Sequence, residues 1–343
     1  MQSFISYKTE ISQFLSDFFA SKQQELNNSY FPEDVFERLM PLVTSGKMLR
    51  GSLLINTYEK LSGQNFSPAV LKAAVSLELA GTAFLIHDDI IDQDELRRGQ
   101  ITFHHQYAKR AQNKKYQQPD HVGASLAICV GDLVFFLAFE LLSDNLSKLF
   151  ARQFSITTFG EMHDVELALM RGEDATQEDI VQMYLDKTSS YSVCLPLMAG
   201  AVLANQSQKI ILQLNELGKT LGLIFQIKDD ELGLFGDMKK TGKPIGADIR
   251  EGKKTLYYYY LLQKVDEDEK EKVLDAFGNQ SLDEGCAEEM LGLMKNHQIR
   301  ELVNEDIKKL ETKTQQQIKK LSTLMELKEM LVEFLEMSLK RKK

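Results

Sequence analysis

The sequence predicts an all-α protein, built as a single large helical bundle. Its 20 glycines and 6 prolines are 26 of 343 residues, well under the roughly 12% that these two residues usually reach in proteins. Between them lie long stretches in which apolar residues recur at helical spacing. Few turns and long helices favour one domain over residues 1–343, and the hydrophobic content of 43% is enough for a sizeable core.

Four helices are expected in the first 92 residues. The first is amphipathic, so its apolar face would pack on the core or on a partner subunit. The fourth opens with a proline in the favoured first helical position. The four helices cover residues 1–30, the segment bracketed by Pro32 and Pro41, Gly46 to about Leu61, and Ser67-Pro68 through Asp92.

The rest of the chain is also predicted to be helical, apart from two irregular segments. A polar loop rich in Gln and Lys is expected from Lys109 to His121, and the most turn-rich stretch is 237–252. Pro196 should start or kink a helix. The remaining helices are expected at 122–142, at 146–171, from Thr176 onward, at 207–236 and through the charged last 90 residues.

Composition narrows the class of protein and its location. A net charge of −9 and a pI of about 5.4 argue against nucleic acid as the main partner. Three scattered cysteines fit a reducing cytosol. The N-terminus does not resemble a signal peptide, so we expect a cytoplasmic protein. No apolar run approaches the roughly 20 residues of a membrane span, and any membrane contact should be peripheral.

The most informative feature is an aspartate cluster, Asp88-Asp89-Ile90-Ile91-Asp92, that follows the apolar residues 83–86. On a helix, Asp88 and Asp92 share a face. Mg²⁺ typically takes one or two such carboxylates together with phosphates and water. Asp89 points about 100° away and would support the site. The alternative interpretation is a solvated acidic face or a helix end.

A second cluster, Asp229-Asp230, is weaker alone because Gly233 stands one turn further on, where another aspartate would share its face. The segment 242–255 that follows is rich in glycine and lysine, and such a loop can close over phosphates. Lys187-Thr188 is a further basic point, although by itself it indicates only a surface lysine. Carboxylates on apolar helices need a compensating cation, so the two clusters together predict a divalent metal bound with a diphosphate.

In order and spacing, these segments resemble the trans-isoprenyl diphosphate synthases (polyprenyl synthetases), most of all the short-chain geranylgeranyl and farnesyl diphosphate synthases. Six motifs carry the resemblance over about residues 40–260. They are Gly46-Lys47-Met48-Leu49-Arg50, Asp88 to Gly99, Gly131-Asp132, Lys187-Thr188, Phe225 to Asp230, and Gly242 to Ile249. The resemblance implies an isoprenoid-synthase bundle with a central apolar cavity, and a homodimer. It also implies a prenyltransferase that joins isopentenyl diphosphate to an allylic diphosphate, head to tail (1′–4).

The resemblance further implies a role for each site residue. Three Mg²⁺ ions per site would be held by Asp88, Asp92 and Asp229. The catalytic set would add Asp89, Asp230 and Lys187. The allylic diphosphate would be bound by Arg97, Lys187, Lys243 and the nearby Lys253. Isopentenyl diphosphate would be bound by Lys47, Arg50 and Arg98. The reacting centre would be lined by Gln226 and Thr188.

Product length in this family depends on the residues four and five positions before the first aspartate, here Phe84 and Ala83. These form the floor of the product pocket. Aromatic residues at both positions resemble a farnesyl (C15) synthase, and small residues at both resemble long-chain synthases. One of each favours geranylgeranyl diphosphate (C20), unless neither side chain reaches the growing tail. Farnesyl and longer products are the alternatives.

Five positions depart from the common family pattern, and none is a proposed metal ligand. Met48 and Gly51 replace an arginine and a proline. Gly81 stands where bacterial members often have a histidine at the isopentenyl diphosphate site. Glu161 replaces a common glutamine, and Gly233 replaces the last aspartate of the second motif.

Two other functions share part of the pattern. A class I terpene cyclase has the same fold and first motif, but it has no need of Lys47, Arg50 and Arg98. A non-catalytic subunit of a heteromeric synthase often loses the aspartate motifs, which are intact here. The basic C-terminus, Lys340–Lys343, is either solvated or folds over the isopentenyl diphosphate site, and in the second case its deletion should raise the KM for that substrate.

Overall fold

The protein is helical over 80% of its length and has almost no sheet, which confirms the predicted all-α class. The computed structural model describes residues 7–170, 172, 174–236, 246–279, 281–321 and 325–341. The chain forms two compact units. Unit 1 comprises residues 1–148 and 199–206, and unit 2 comprises residues 149–198 and 207–343. The single domain over 1–343 and its central apolar cavity stay predictions.

The elements are numbered here in chain order. The first half contains α1 (Lys8–Glu25), α2 (Pro32–Ser45), α3 (Leu49–Ser62), α4 (Pro68–Ile91), β1 (Leu96–Arg97), β2 (Gln100–Ile101), α5 (Phe103–Asn113), α6 (Pro119–Glu140) and α7 (Asp144–Leu169). The second half contains α8 (Gln177–Tyr184), a π-helix (Leu185–Cys194), α9 (Leu195–Leu203), α10 (Gln208–Phe235), α11 (Ala247–Arg250), α12 (Leu256–Lys264), α13 (Glu267–Ala276), α14 (Glu284–Asn296), α15 (Ile299–Lys320) and α16 (Met325–Leu339).

The core of unit 1 is built around α4. This helix begins at Pro68, as predicted, and packs against α3 and α6 and also against α1 and α2. Residues such as Leu77, Leu79 and Ala83 are fully buried along it. A helix that is apolar on all sides must be buried on all sides. The packing of α4 therefore fixes the position of its C-terminal turn, where the first aspartate cluster lies.

The core of unit 2 is built around α10, which packs against the π-helix, α15 and α16. The helix before the π-helix begins at the predicted start signal. The Thr176 hydroxyl accepts a hydrogen bond from the Asp179 N–H, and the Asp179 carboxylate accepts one from the Thr176 N–H. This reciprocal capping fixes the start of the segment that carries Lys187 and Thr188.

Three predicted element boundaries need correction. Pro41 lies inside α2 rather than at its end, because the buried Leu39, Leu42 and Val43 around it hold the helix despite one lost backbone hydrogen bond. The predicted loop from Lys109 to His121 shrinks to residues 114–118, since α5 continues to Asn113 and α6 begins at a proline. The turn-rich stretch contains α11, and its first nine residues, 237–245, lie outside the described residues.

The expectation that no apolar run approaches the length of a membrane span is wrong, as judged by the length and composition of two helices. α4, with 24 residues, and α6, with 22, are both long and apolar enough to cross a bilayer. In both helices, alanine, glycine and serine stand between the large apolar residues and add no charge. Each helix is therefore apolar on average although it contains no long unbroken run of large apolar residues. The apolar window of α4 is 72% buried, as in a soluble core helix, and that of α6 is 39% buried. Two such helices are weak grounds for a membrane span.

Candidate active site

The first aspartate cluster lies where α4 ends. Asp88 and Asp89 are in its last turn, and the N–H of Asp92 donates to the carbonyl of Asp88 at 2.8 Å. Asp88 and Asp92 are therefore one turn apart, as predicted. Asp89 is turned inward, with 3% of its side chain exposed, against 18% for Asp88.

Arg97 is the cation that compensates this cluster. Its guanidinium lies 2.5 Å from an oxygen of Asp89, 3.0 Å from one of Asp88 and 2.9 Å from one of Asp94. Burial raises the pKa of Asp89 to about 7, and Arg97 only partly offsets this effect. Burial also lowers the pKa of Arg97, but the three carboxylates outweigh burial and raise it. Arg97 therefore stays charged.

A short hairpin separates the two arginines of the Arg97-Arg98-Gly99 motif. β1 and β2 pair antiparallel, and Arg98 and Gly99 make the turn with φ of 55° and 76°. Two positive φ angles in succession favour glycine at the second position. Arg97 thus reaches the aspartates, whereas Arg98 donates to the carbonyl of Leu42 at 3.4 Å and lies 3.3 Å from the hydroxyl of Ser45.

A buried carboxylate that sequence reasoning missed lies among the residues assigned to isopentenyl diphosphate. Glu78 accepts a hydrogen bond from the Gly51 N–H at 2.7 Å. Burial raises the pKa of Glu78, and the charges of Arg50 and Arg98 oppose this shift. Arg50 packs over Gly81, where an added Cβ would lie 3.5 Å from a guanidinium nitrogen. That distance is an ordinary van der Waals contact, so the arginine side chain lies directly beside position 81.

Lys47 and Met48 connect α2 to α3. Lys47 is exposed, whereas Met48 is buried and has a φ of 51°. Burying an arginine at this second position would require a partner for its charge. The local structure therefore explains why methionine replaces the family's arginine.

The residues assigned to the product pocket lie on α4, one turn before the aspartates. Ala83 is fully buried. The ring of Phe84 meets that of Phe135 on α6 edge to face, with 4.9 Å between centroids. Such a pair favours one fixed ring orientation. Sequence reasoning missed Phe135, whose position follows only from the packing of α6 on α4.

His87 contacts the Gly131-Asp132 motif, and this contact explains why the motif needs a glycine. The imidazole Nε2 lies 3.2 Å from the carbonyl of Ile128 and 3.5 Å from a carboxylate oxygen of Asp132. A side chain on Gly131 would overlap the imidazole. Gly131 therefore allows α6 to approach the end of α4 closely.

The second aspartate cluster lies near the end of α10, and its two carboxylates have different surroundings. Asp230 is 8% exposed, and its oxygens accept hydrogen bonds from the Tyr184 hydroxyl and, at 2.7 Å, from the Gln226 amide. Burial raises the pKa of Asp230 well above its usual range, although both hydrogen bonds oppose this. Asp229 has 47% of its side chain exposed and pairs with Arg341 at 2.7 Å.

Arg341 brings the end of the chain to this motif. Its guanidinium carbon lies 3.9 Å from the centre of the Phe225 ring, in addition to its contact with Asp229. The two residues that follow, Lys342 and Lys343, lie outside the described residues. The predicted closure of the tail over the isopentenyl diphosphate site stays a prediction.

Lys187, on the π-helix, is held by two carboxylates of α7. Its ammonium lies 2.6 Å from Asp164 and 2.9 Å from Glu161. A side chain on Gly160 would overlap the backbone of Lys187, so this glycine lets α7 approach the π-helix. Sequence reasoning noted Glu161 only as a departure from the family pattern and missed its pairing.

Thr188 and Gln226, both assigned to the reacting centre, are brought together. The Thr188 hydroxyl donates to the Gln226 carbonyl oxygen at 2.7 Å. Lys253 pairs with Glu251 at 2.6 Å, and Lys243 lies outside the described residues. A side chain on Gly233 would overlap a carboxylate of α11, which explains why the motif lacks its last aspartate.

Comparison with known proteins identifies the family of this chain. The sequence profile of the polyprenyl synthetase family matches residues 33–294. The chain belongs to the polyprenyl synthetase family. It is 34% identical over 262 residues to a short chain isoprenyl diphosphate synthase of Methanocaldococcus jannaschii, with 74% of each chain covered. It is 34% identical over 297 residues to a geranylgeranyl diphosphate synthase of Sulfolobus acidocaldarius, with 82% of this chain and 81% of that one covered.

Solved structures of this family have the same fold. A geranylgeranyl pyrophosphate synthase of Corynebacterium glutamicum, complexed with isoprenyl diphosphate and magnesium, superposes with a TM-score of 0.90 at 25% identity, covering 98% of this chain and 99% of that one. The predicted isoprenoid-synthase fold is confirmed. As a polyprenyl synthetase, the chain is a trans-prenyltransferase, and neither the cyclase nor the non-catalytic subunit is favoured.

Proposed function

We propose that this polyprenyl synthetase joins isopentenyl diphosphate to an allylic diphosphate by Mg²⁺-assisted ionisation and 1′–4 condensation, with geranylgeranyl diphosphate as product. The observation that carries the reaction is the aspartate cluster at the end of α4, where Asp88 and Asp89 converge on one buried cation. Carboxylates gathered in this way can hold positive charge beside a bound diphosphate.

The carboxylates fit Mg²⁺. Asp88, Asp92 and Asp229 provide the hard oxygen ligands that this ion prefers, and we propose three ions per site. Within the described part of the chain, no three His, Cys, Asp or Glu side chains converge into a metal site of their own. Mg²⁺ is typically held by one or two carboxylates together with substrate phosphates and water. When bound, the metal would stabilise charge on the departing diphosphate.

The basic residues would bind the two diphosphates. We assign Arg97, Lys187, Lys243 and Lys253 to the allylic substrate, and Lys47, Arg50 and Arg98 to isopentenyl diphosphate. Carboxylates already hold three of them in place: Asp89 holds Arg97, Asp164 holds Lys187, and Glu251 holds Lys253. Charges that are oriented before the reaction stabilise the departing diphosphate without further reorganisation. Gln226 and Thr188 would line the reacting centre, from which water must be excluded.

Product length rests on Phe84 and Ala83. The ring of Phe84 is held in position by Phe135, whereas Ala83 contributes only a methyl group. The names of relatives do not decide the length. They include a geranylfarnesyl diphosphate synthase of Aeropyrum pernix at 32% identity and a farnesyl diphosphate synthase of Micrococcus luteus at 29%.

The test is incubation of the purified protein with Mg²⁺, labelled isopentenyl diphosphate and each allylic primer (C5, C10 and C15), with products separated by chain length. We expect C20. Phe84→Ala should lengthen the product and Ala83→Phe should shorten it to C15. Absence of condensation with all three primers would overturn the proposed function. Condensation to another length would overturn only the pocket-floor argument.

We also propose a cytoplasmic homodimer with at most peripheral membrane contact. Phe159, Met162 and Leu169 are exposed at helical spacing along α7, and Ile128 and Phe136 are exposed on α6. Apolar side chains repeated along a helix usually mark a protein interface. Size-exclusion chromatography with light scattering should give twice the chain mass of 39.1 kDa. Phe159→Asp should lower that mass if the stripe on α7 is the interface.

A further inference from the structure

Two antiparallel rows of side chains join the π-helix region to α10. Tyr184 faces Asp230, and Thr188 faces Gln226. Tyr184 and Thr188 are four residues apart in the sequence, and Asp230 and Gln226 are four residues apart on α10. The two contacts therefore lie one helical turn apart, like successive rungs. Gln226 also donates to Asp230 at 2.7 Å, which links the rungs along α10.

Close packing beside the rungs holds them in register. One turn before Gln226, a side chain on Gly222 would overlap Ser189 of the π-helix. The Ser189 hydroxyl in turn donates to the carbonyl of Tyr184 at 3.2 Å. The widened π turn and the missing side chain at position 222 together let the two helices approach. The rungs are therefore set by backbone packing and not by chance side-chain rotation.

The hydrogen bonds have a defined polarity. The Leu256 N–H donates to the Tyr184 oxygen at 3.2 Å, and the Tyr184 hydroxyl donates to Asp230. One oxygen of Asp230 accepts from Tyr184 and the other accepts from the NH₂ end of Gln226 at 2.7 Å, while the carbonyl end of Gln226 accepts from the Thr188 hydroxyl at 2.7 Å. The backbone of α12 thus determines, through Tyr184, which way the Gln226 amide points.

We propose that Tyr184 is a positioning residue for the condensation. Through Asp230 it orients the Gln226 amide and the Thr188 hydroxyl at the reacting centre, and Asp230 serves this relay rather than binding metal. The inference rests on the proposed function, in which Gln226 and Thr188 line that centre. It assigns unlike roles to two adjacent aspartates, since Asp229 remains the metal ligand.

Tyr184→Phe is the test, with Tyr257→Phe as the matched control. Tyr257 lies in the same apolar cluster and is equally buried, but among the described residues its hydroxyl has no hydrogen-bond partner. The Tyr184 variant should lower kcat by about ten-fold, the effect of one misdirected buried hydrogen bond. The KM for the allylic diphosphate and the half-saturating Mg²⁺ concentration should not change. Tyr257→Phe should match the wild type in all three.

A double-mutant cycle separates positioning from general loss of structure. Asp230→Asn should lower kcat to the same degree as Tyr184→Phe, and the double variant should be no worse than either single one, because all three break the same relay. The Asn variant also tests the proposal if the Phe variant folds poorly, as judged by its thermal unfolding midpoint.

Three outcomes overturn the inference: multiplicative losses in the double variant, a raised half-saturating Mg²⁺ concentration in Asp230→Asn, or equal kcat in the two Tyr→Phe variants. Failure of the wild type to condense any primer would instead overturn the proposed function itself. The wild-type assay therefore distinguishes the two failures.

Discussion

The two aspartate clusters begin with the same Asp-Asp dipeptide near the end of an apolar helix. The groups that compensate the buried carboxyl group differ between the two clusters. In unit 1, Asp89 is buried against the charged Arg97. In unit 2, Asp230 is buried against neutral donors, the Tyr184 hydroxyl and the Gln226 amide. A buried carboxylate needs either a cation or a full set of hydrogen bonds, and this protein uses one solution in each cluster.

The shared feature is the division of work within each pair. The first aspartate, Asp88 or Asp229, stays partly exposed, and the second, Asp89 or Asp230, is buried. Adjacent residues on a helix point about 100° apart, so a pair cannot present both carboxylates to one ligand equally. The comparison shows that the second aspartate of such a pair can have a structural role instead of being a second metal ligand.

The largest expected effect tests this division directly. Asp88→Asn and Asp229→Asn should each lower kcat by about 10²-fold or more and raise the half-saturating Mg²⁺ concentration, because each removes a charged ligand. Asp89→Asn should leave the Mg²⁺ dependence near that of the wild type. Steady-state kinetics over a Mg²⁺ titration measures both quantities. An equal shift in Mg²⁺ dependence for Asp88→Asn and Asp89→Asn would contradict the division.

The next effect concerns stability in the first cluster. Arg97→Gln leaves three carboxylates without their shared cation, which should lower the free energy of unfolding by about 3 kcal/mol in the absence of metal. Mg²⁺ should restore part of that loss. Urea denaturation with and without Mg²⁺ measures it. Lys272→Gln, which breaks the exposed pair with Glu289, is the control and should change little; equal losses in the two variants would show that Arg97 is not a buried anchor.

Sequence reasoning could predict much of this molecule because its signals are local. The proline at position 68, the capping residue Thr176 and the apolar runs before each aspartate cluster all act within one or two turns. The helices that carry the site accordingly agree with the structure to within a few residues. Thr188 and Gln226, which the family resemblance assigns to one reacting centre, form a hydrogen bond with each other.

What could not be predicted depends on partners distant in sequence. Glu78 is one acidic residue in an apolar helix, and only folding brings the Gly51 N–H to it. Tyr184 looks like any core aromatic until α10 places Asp230 beside it. The close approach of Ser189 on the π-helix to Gly222 likewise joins residues that are distant in sequence. None of these has a local pattern.

A smaller effect on stability is expected at the C-terminal residue Arg341. Of the two aspartates in the second cluster, Arg341 pairs with the exposed one, Asp229. Because this ion pair is partly solvated, Arg341→Ala should cost less than about 1 kcal/mol of unfolding free energy. It should lower the half-saturating Mg²⁺ concentration, since Asp229 loses a competing cation. Lys340→Ala, which breaks an exposed pair with Glu336, should leave Mg²⁺ dependence unchanged. A Mg²⁺ titration in which Arg341→Ala matches the wild type would exclude competition at Asp229.

The last effect lies beside the first cluster, at His104 on α5. Burial and, to a smaller extent, the neighbouring His105 lower the pKa of His104 to about 4 against the opposing effect of Asp94. In the unfolded chain the pKa would be near 6.5, so between pH 6.5 and 4 the unfolded state binds the extra proton. The stabilisation from neutral His104 is therefore complete above pH 6.5 and is lost as the pH falls towards 4.

His104→Gln removes this titration. The unfolding free energy of the wild type relative to His104→Gln should fall between pH 7 and pH 5, as measured by urea denaturation at each pH. His121→Gln, at an exposed histidine, supplies the control for removing an imidazole. If the difference between the wild type and His104→Gln is the same at both pH values, His104 is not held neutral by its surroundings.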